Sequence, residues 1–472
     1  MQLPISPQDV RYKMRLALVT PPRPSFPAML DLLRGHPSTR LLPTTALYEA
    51  AGVALNSPAL LPQDSYAGTR HPLAYGPDKG NFNVREEIGR WVGGRYGLAH
   101  AVSPERIYLT NGASAGLAMA LTLFTSPGTG YTRAAFLVSP TYFLAGKVFE
   151  DAGFADRLHT VRDLEDGIDF EGLERRLLEV QDAAPEVSLE EGLRPLLRRG
   201  APAAAKRIYR YVLYCVPTYS NPTGTTWDLE TRKKLLELAR RWDMLIISDD
   251  VYDFLGNDDQ PRTPPKRLVT LDAETAEGEG NTLSNCSFSK LVGPGLRTGW
   301  IEAATSALVQ QLGEGGADRS GGAPSHFASC LLYPLLLPIS PSNPTRKIDL
   351  QIQLLTSTYT SRCRALIAAI HTFLPKGTTY SGGVGGFFAW ICLPEELDAA
   401  EVVKLGREEG VIVAAGALSE VPGEGNALGW GKRYVRVAVS WAEEEELVEG
   451  MKRLGIACER WLAGGRAKDG EV

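Results

Sequence analysis

The sequence predicts an α/β protein in which a large domain, built on a mostly parallel central sheet, is followed by a smaller α+β unit. Three observations carry this prediction. Short apolar runs suited to buried strands alternate with amphipathic helical patterns from about residue 75 to 300. Polar constellations recur where those runs end, on the C-terminal edge where open parallel sheets place ligands. Beyond Trp300 the order changes to a long helical region and then to strands, one of which carries an arginine.

Residues 1–45 are proline-rich, and Leu33-Arg34-Gly35-His36-Pro37-Ser38 reads as an extended segment or turns, either strapped over the surface or lining a pocket. Tyr75-Gly76-Pro77 opens a turn that Gly80 ends, and Asn83 with Glu86 three residues on predicts a capped helix start. Val84, Ile88, Trp91 and Val92 then share one helical face. Tyr75 is placed to reach a ligand or simply to pack. Arg106 to Thr110 reads as a strand, and Asn111-Gly112-Ala113-Ser114-Ala115-Gly116 runs straight into an apolar helix, Leu117 to Phe124. Small residues there would let backbone N–H groups and Ser114 face an anion, although tight turns also use them for steric reasons alone.

Ala134 to Val138 is a buried-type strand ending in Ser139-Pro140-Thr141-Tyr142, where the aromatic could stack on a flat ring or join the core. Residues 165–180 read as helix, and Pro185 to Lys206 as a low-order insertion rich in Ala, Pro, Arg and Glu. The strand Tyr211 to Val216 ends in Pro217-Thr218-Tyr219-Ser220-Asn221-Pro222-Thr223-Gly224. A helix with Leu235, Leu238, Ala239 and Trp242 inward leads to the strand Met244 to Ser248, which ends in Asp249-Asp250-Val251-Tyr252. Adjacent carboxylates there need water or a counter-charge. A protonated ring nitrogen would serve, since at about 4 Å and an effective dielectric near 20 the attraction is roughly 4 kcal/mol, or about three pKa units.

The run Leu283 to Phe288 leads into Ser287-Phe288-Ser289-Lys290-Leu291-Val292-Gly293-Pro294-Gly295-Leu296-Arg297. A strand end holds one amine rigidly, and a desolvating pocket would lower its pKa and expose a neutral nucleophile. Ser287, Ser289 and Arg297 beside it suit a phosphate. Together these residues point to a lysine that forms a Schiff base with pyridoxal phosphate. On these residues alone a surface lysine after an edge strand stays open. Ser287 and Lys290 also fit the Ser-x-x-Lys pattern of serine acyl-transfer sites, but its companions are missing: only Ser248-Asp249-Asp250 is near, and no Lys-Thr-Gly occurs.

After Gly299-Trp300 come a helix, a glycine-rich stretch (Gly313 to Gly322) and a helical region over 325–373 interrupted from Pro338 to Pro344. Gly382 to Trp390 starts a strand, a helix spans 398–409, and Tyr434 to Ser440 is a strand with Arg436 in its apolar alternation. An inward arginine has a carboxylate as its natural bidentate partner.

Composition narrows the function. The 472 residues are 44 % hydrophobic and 22 % charged with a net charge of -5, which argues against a nucleic-acid partner. Six scattered cysteines without a Cys-x-x-Cys pair predict a reduced setting and no metal site. No apolar run is long enough to span a membrane. Met1 to Thr20 lacks a signal-peptide core, so the chain is read as cytoplasmic.

With these residues assembled, residues from about 30 to 445 resemble the class I/II aminotransferases of the fold-type I pyridoxal-phosphate enzymes, in the branch of kynurenine and 2-aminoadipate aminotransferases. The resemblance implies that Lys290 is the Schiff-base lysine and proton shuttle, and that Asp249 pairs with the pyridinium. It implies that Tyr142 stacks on the ring and that Asn221 and Tyr252 bond its phenolic oxygen. Gly112, Ala113, Ser114, Ser287, Ser289 and Arg297 match the phosphate cup, with Tyr75 reaching the phosphate of a neighbouring subunit in a homodimer with shared active sites. Arg436 resembles the clamp on the substrate α-carboxylate, and Gly35, with Asn221, belongs to the substrate site. The implied division is an N-terminal segment (1–45) packed with the small domain, a large cofactor domain (46–335) and a small domain (336–472). The implied reaction moves an amino group from an aromatic or 2-aminoadipate-like L-amino acid to a 2-oxo acid such as 2-oxoglutarate. A lyase, decarboxylase or oxidase on the same cofactor competes with it, and a sensor is disfavoured because no DNA-binding module precedes residue 30. The insertion near 183–207 and the segment 52–72 depart from the family pattern.

Overall fold

The structure, a computed structural model, describes residues 28–56 and 71–469 apart from 166, 184, 195–205, 262, 277, 317, 321–324 and 425–427. Residues 184 and 195–205 of the predicted 183–207 insertion and most of the 52–72 segment therefore lie outside the described residues. Sixteen strands follow in chain order among them: β1 (Leu30–Asp31), β2 (Ile107–Thr110), β3 (Ala134–Ser139), β4 (Leu158–Leu164), β5 (Gly167–Ile168), β6 (Tyr211–Cys215), β7 (Met244–Asp249) and β8 (Thr282–Ser287), then β9 (Gly299–Ala303), β10 (Pro338–Ser340), β11 (Asn343–Arg346), β12 (Thr379–Gly382), β13 (Phe388–Cys392), β14 (Val411–Ile412), β15 (Ala414–Ala415) and β16 (Tyr434–Ala438).

Eight of these strands form one sheet in the order β2-β9-β8-β7-β6-β3-β4-β5. The five from β8 to β4 are mutually parallel, and β9 and β5 run against their neighbours. Helices cover both faces, so β3, β6, β7 and β8 are buried at every residue. That is why they read as near-continuous apolar runs rather than as alternations. The smaller sheet is antiparallel, in the order β12-β13-β16-β15. Its own core gathers Leu366, Ile370, Ile391, Val435, Val437 and Leu454. The helix Lys347–Phe373 serves both cores, giving Ile348, Ile352 and Leu355 to the first and Cys363, Leu366 and Ile370 to the second. The N-terminal segment is tied to the smaller sheet's side, because β1 pairs in parallel with β14 and Ser38 N donates to Ser440 O at 3.0 Å.

Several sequence expectations shift. The helix after Gly80 spans Phe82–Arg95 and is capped by Asn81, whose side chain accepts from Asn83 N and Val84 N; Asn83 lies inside it. The glycine run yields not one strand from Gly382 to Trp390 but two, β12 and β13, because Gly382, Gly383 and Gly386 all take positive φ in the turn between them. The break at 338–344 is the hairpin β10–β11. The helix expected over 165–180 spans Phe170–Asp182, with β5 before it.

The backbones of the two parts approach especially closely at Gly224. Gly224 (φ +66°) lies so close to β12 that a Cβ there would sit 2.5 Å from Gly382 Cα and 2.8 Å from Phe388 O. Only glycine meets both demands. Gly224→Ala is expected to lower stability by about 1–3 kcal/mol in urea unfolding; an unchanged midpoint would show that the loop simply moves aside.

Candidate active site

A cavity of about 430 Å³ opens at the C-terminal edge of the large sheet. Lys290 lies just past β8, at the end of a short 3-10 turn, Phe288–Lys290. Its Nζ donates to Gly35 O at 3.1 Å and faces the rings of Phe387 and Tyr252 at 5.4 and 5.8 Å. Burial, reinforced by the Arg436 and Arg297 charges and opposed by Asp249, lowers its pKa to about 8.

Asp249 closes β7. Its Oδ2 accepts from Tyr214 Oη at 2.7 Å, while Oδ1 is buried with no partner among the described residues. Burial raises its pKa to about 6; the Tyr214 hydrogen bond opposes the shift and the charge of Asp250 adds to it. Asn221, in the loop after β6, accepts from Arg436 Nη1 at 2.9 Å. Arg436 comes from β16, where Val435 and Val437 point into the second core and the arginine to the other face. Its Nη2 donates to Leu33 O at 2.8 Å, its guanidinium lies 4.3 Å from the Phe388 ring, and its buried Nε has no partner among the described residues.

The far end of the cavity suits an anion. Gly112 (φ +89°) caps the twelve-residue helix Ala113–Phe124. Arg297, itself left-handed, packs against Gly112 closely enough that a Cβ there would lie 2.5 Å from Nη2. It donates to Asn111 O (3.0 Å), Pro294 O (2.9 Å) and Ser289 Oγ (3.4 Å), and Ser287 Oγ donates to Ser289 Oγ at 2.9 Å.

Of the residues singled out from the sequence, Gly35, Ala113, Ser114, Tyr142, Asn221, Asp249, Tyr252, Ser287, Ser289, Lys290, Arg297 and Arg436 all line this one cavity. Gly112 stands behind Arg297. Tyr75 does not line it and is 74 % exposed on the surface. The sequence reading missed Tyr214 and Asn285, which also line the cavity. Nothing local marks Tyr214, since β6 also carries Tyr211 and a phenol in such a strand reads as packing; only the pairing of β6 with β7 brings it to Asp249. Among the described residues no group of His, Cys, Asp and Glu is placed to hold a metal ion, and no helix is long and apolar enough to cross a membrane.

A lysine, a buried carboxylate and an anion cradle on the carboxyl edge of an α/β sheet are the parts of a pyridoxal-phosphate site. A family model for aminotransferase class I and II matches residues 63–454, and the chain belongs to that family: it is a transaminase with pyridoxal phosphate as its cofactor. The chain is 38 % identical over 445 residues to the uncharacterized protein YER152C of Saccharomyces cerevisiae, spanning 91 % of this chain and 96 % of the relative. It is 28 % identical over 383 residues to aromatic-amino-acid aminotransferase 1 of Thermococcus litoralis (81 % and 79 % covered). Its fold matches that of LysN, the α-aminoadipate aminotransferase of Thermus thermophilus, solved with N-(5'-phosphopyridoxyl)-L-leucine. The TM-score is 0.69 at 24 % identity, over 92 % of this chain and 93 % of that one.

The lowered lysine pKa has two measurable consequences. In cofactor-free protein, Lys290 should be acylated along a titration curve centred near pH 8; a midpoint near the ordinary value of about 10.4 would contradict its burial. Because folding lowers this pKa, the folded chain binds fewer protons than the unfolded chain between about pH 8 and 10.5. The cost of burying the ammonium is therefore fully present below that window and is relieved as pH rises through it. A Lys290→Met variant should lose this rise in stability.

Proposed function

We propose that the protein transfers the amino group of an L-amino acid with an aromatic or 2-aminoadipate-like side chain to a 2-oxo acid such as 2-oxoglutarate. The observation that carries this reading is one cavity holding three things: a lysine amine lowered to about 8, an unpartnered carboxylate oxygen on Asp249, and an arginine on β16. The relatives named above support the substrate range. So does the apolar wall of Leu117, Phe143, Leu144 and Val148, with Arg34 also lining the cavity.

The residues fit pyridoxal phosphate. Asp249 Oδ1 supplies the missing counter-charge for a ring nitrogen, Tyr142 a stacking face, and Asn221 and Tyr252 the polar contacts for a phenolic oxygen. Gly112, Ala113 and Ser114 at a helix N-terminus, with Ser287, Ser289 and Arg297, form the phosphate cradle. Exposed Tyr75 is assigned to the cradle of a second subunit in a homodimer.

Bound there, the cofactor supplies an electron sink for the substrate α-carbon. Arg436 orients the substrate through its α-carboxylate, with Asn221 holding one arm of the guanidinium in place. Lys290 Nζ, neutral in a substantial fraction near physiological pH, takes the proton from the α-carbon. The rings of Phe387 and Tyr252, 5.4 and 5.8 Å from the amine, cover one side of it. Six buried free cysteines support a reducing, cytoplasmic setting.

Lys290→Ala is expected to abolish borohydride trapping of cofactor on the protein, and retained trapping would place the attachment elsewhere. Arg436→Ala should raise KM for α-amino acids by about 100-fold or more while barely changing it for amines without a carboxylate. Equal effects on both would remove Arg436 from the carboxylate site.

A further inference from the structure

Tyr142 stands at the end of β3, yet its surroundings are fixed from the far end of the chain. Thr141 N donates to Ser419 O at 3.0 Å, and Ser139 Oγ donates to the same carbonyl at 3.4 Å. Trp430 Nε1 in turn donates to Ser139 Oγ at 3.0 Å. Ser139 is fully buried, so its hydroxyl spends its one hydrogen on Ser419 and accepts the indole N–H. Both residues that grip β3 belong to the stretch between β15 and β16: Ser419 ends the turn Gly416–Ser419, and Trp430 opens the short helix Trp430–Arg433.

Trp430 is itself held on all sides. Its backbone N donates to Glu420 Oε1 at 2.8 Å, and its ring meets Tyr434 edge-on at 5.2 Å, while Tyr434 stacks on Trp390 at 5.3 Å. Gly416 packs so tightly that a Cβ there would lie 2.2 Å from Trp430 O. The same stretch reaches past Tyr142 on its other side. Pro422 occupies the space a side chain at Gly146 would need, and Glu424 accepts from Thr160 N (3.0 Å) and meets His159 Nδ1 (3.2 Å) on β4. Positions 139, 141 and 146 are thus gripped around Tyr142 by the segment that leads into the strand of Arg436.

We propose that Trp430 is a positioning residue: through Ser139 it sets the plane of Tyr142 against the cofactor ring and ties that plane to β16 and its arginine. The ring of Trp430 meets Tyr434 and Trp390 edge-on at 5.2 and 6.4 Å and lies 6.0 Å from the Arg162 guanidinium, contacts that an aromatic surface makes without the indole N–H. The one polar atom of the side chain is spent on a residue three positions before Tyr142. Stacking is sensitive to tilt and offset, so a small change at the end of β3 registers at the ring. This inference rests on Tyr142 being the stacking residue.

The test uses holoenzyme of Trp430→Phe, with Ser139→Ala as a second variant that removes the same hydrogen bond from the other side. The circular dichroism of the bound cofactor should weaken and the cofactor Kd should rise about fivefold, the scale of one hydrogen bond. The turnover number should fall while KM for the amino acid stays within about twofold and the melting temperature moves little. In a Tyr142→Ala background neither substitution should change the dichroism or the cofactor Kd further. Unchanged dichroism and Kd in both single variants, or full effects that persist without the Tyr142 ring, would overturn the proposal. A Tyr142→Ala holoenzyme with normal dichroism and Kd would instead remove the stacking role, and the proposal with it.

Discussion

A carboxylate oxygen buried at the end of a strand, with no partner among the described residues, is the constraint around which this molecule is arranged. Asp249 ends β7, whose apolar residues Met244 to Ile247 drive it into the middle of an eight-stranded sheet. Burial in that position is costly for a charge, and Asp250 beside it adds to the cost. Tyr214 from the neighbouring β6 satisfies one oxygen only. The other oxygen has no partner among the described residues, and a protonated pyridine nitrogen would supply the cation it lacks. The lysine one strand away completes the pairing: Asp249 favours its charged form, while burial and two arginines disfavour it.

Two basic side chains at the cavity, Lys290 and Arg436, each donate to a main-chain carbonyl rather than to a carboxylate. Leu33 O and Gly35 O, two residues apart on one extended segment, accept from Arg436 Nη2 and Lys290 Nζ. A carbonyl fixes the direction of an amine or a guanidinium without taking up a charge, so the Arg436 charge and the Lys290 amine both stay available to a ligand. The segment holds its place because β1 pairs with β14 and Leu32 O accepts from Ala438 N at 2.8 Å. Phe388 fills the space beside Gly35, where a Cβ would lie 2.6 Å from its ring. Local backbone geometry in the first forty residues thereby becomes part of a site whose chemistry lies some 250 residues further on.

Much of this was legible in the sequence, for a physical reason: strands buried on both faces must be apolar, so polar residues at their ends stand out. Asn221, Asp249 and Lys290 are visible in this way, and Arg436 because it breaks an alternation. Tyr214 was not, since a phenol in an apolar strand reads as packing until the neighbouring strand is known. The cap at Asn81 was hidden by Asn83, whose spacing to Glu86 imitates a capping box. The hairpin of β10 and β11 was masked by prolines, which such short, exposed strands tolerate. The crossing of Gly224 with Gly382 and the reach of Trp430 to Ser139 join residues more than 150 positions apart. No local pattern announces contacts of that kind.

The most direct test of the account is the visible absorbance of purified holoenzyme mixed with a pool of L-amino acids in the absence of any oxo acid. The account predicts that the cofactor's yellow band disappears, that 2-oxoglutarate restores it, and that dividing the pool traces the loss to aromatic or 2-aminoadipate-like members. A band that persists with every amino acid would contradict it. So would a band that is lost without restoration while ammonia, carbon dioxide or peroxide accumulates.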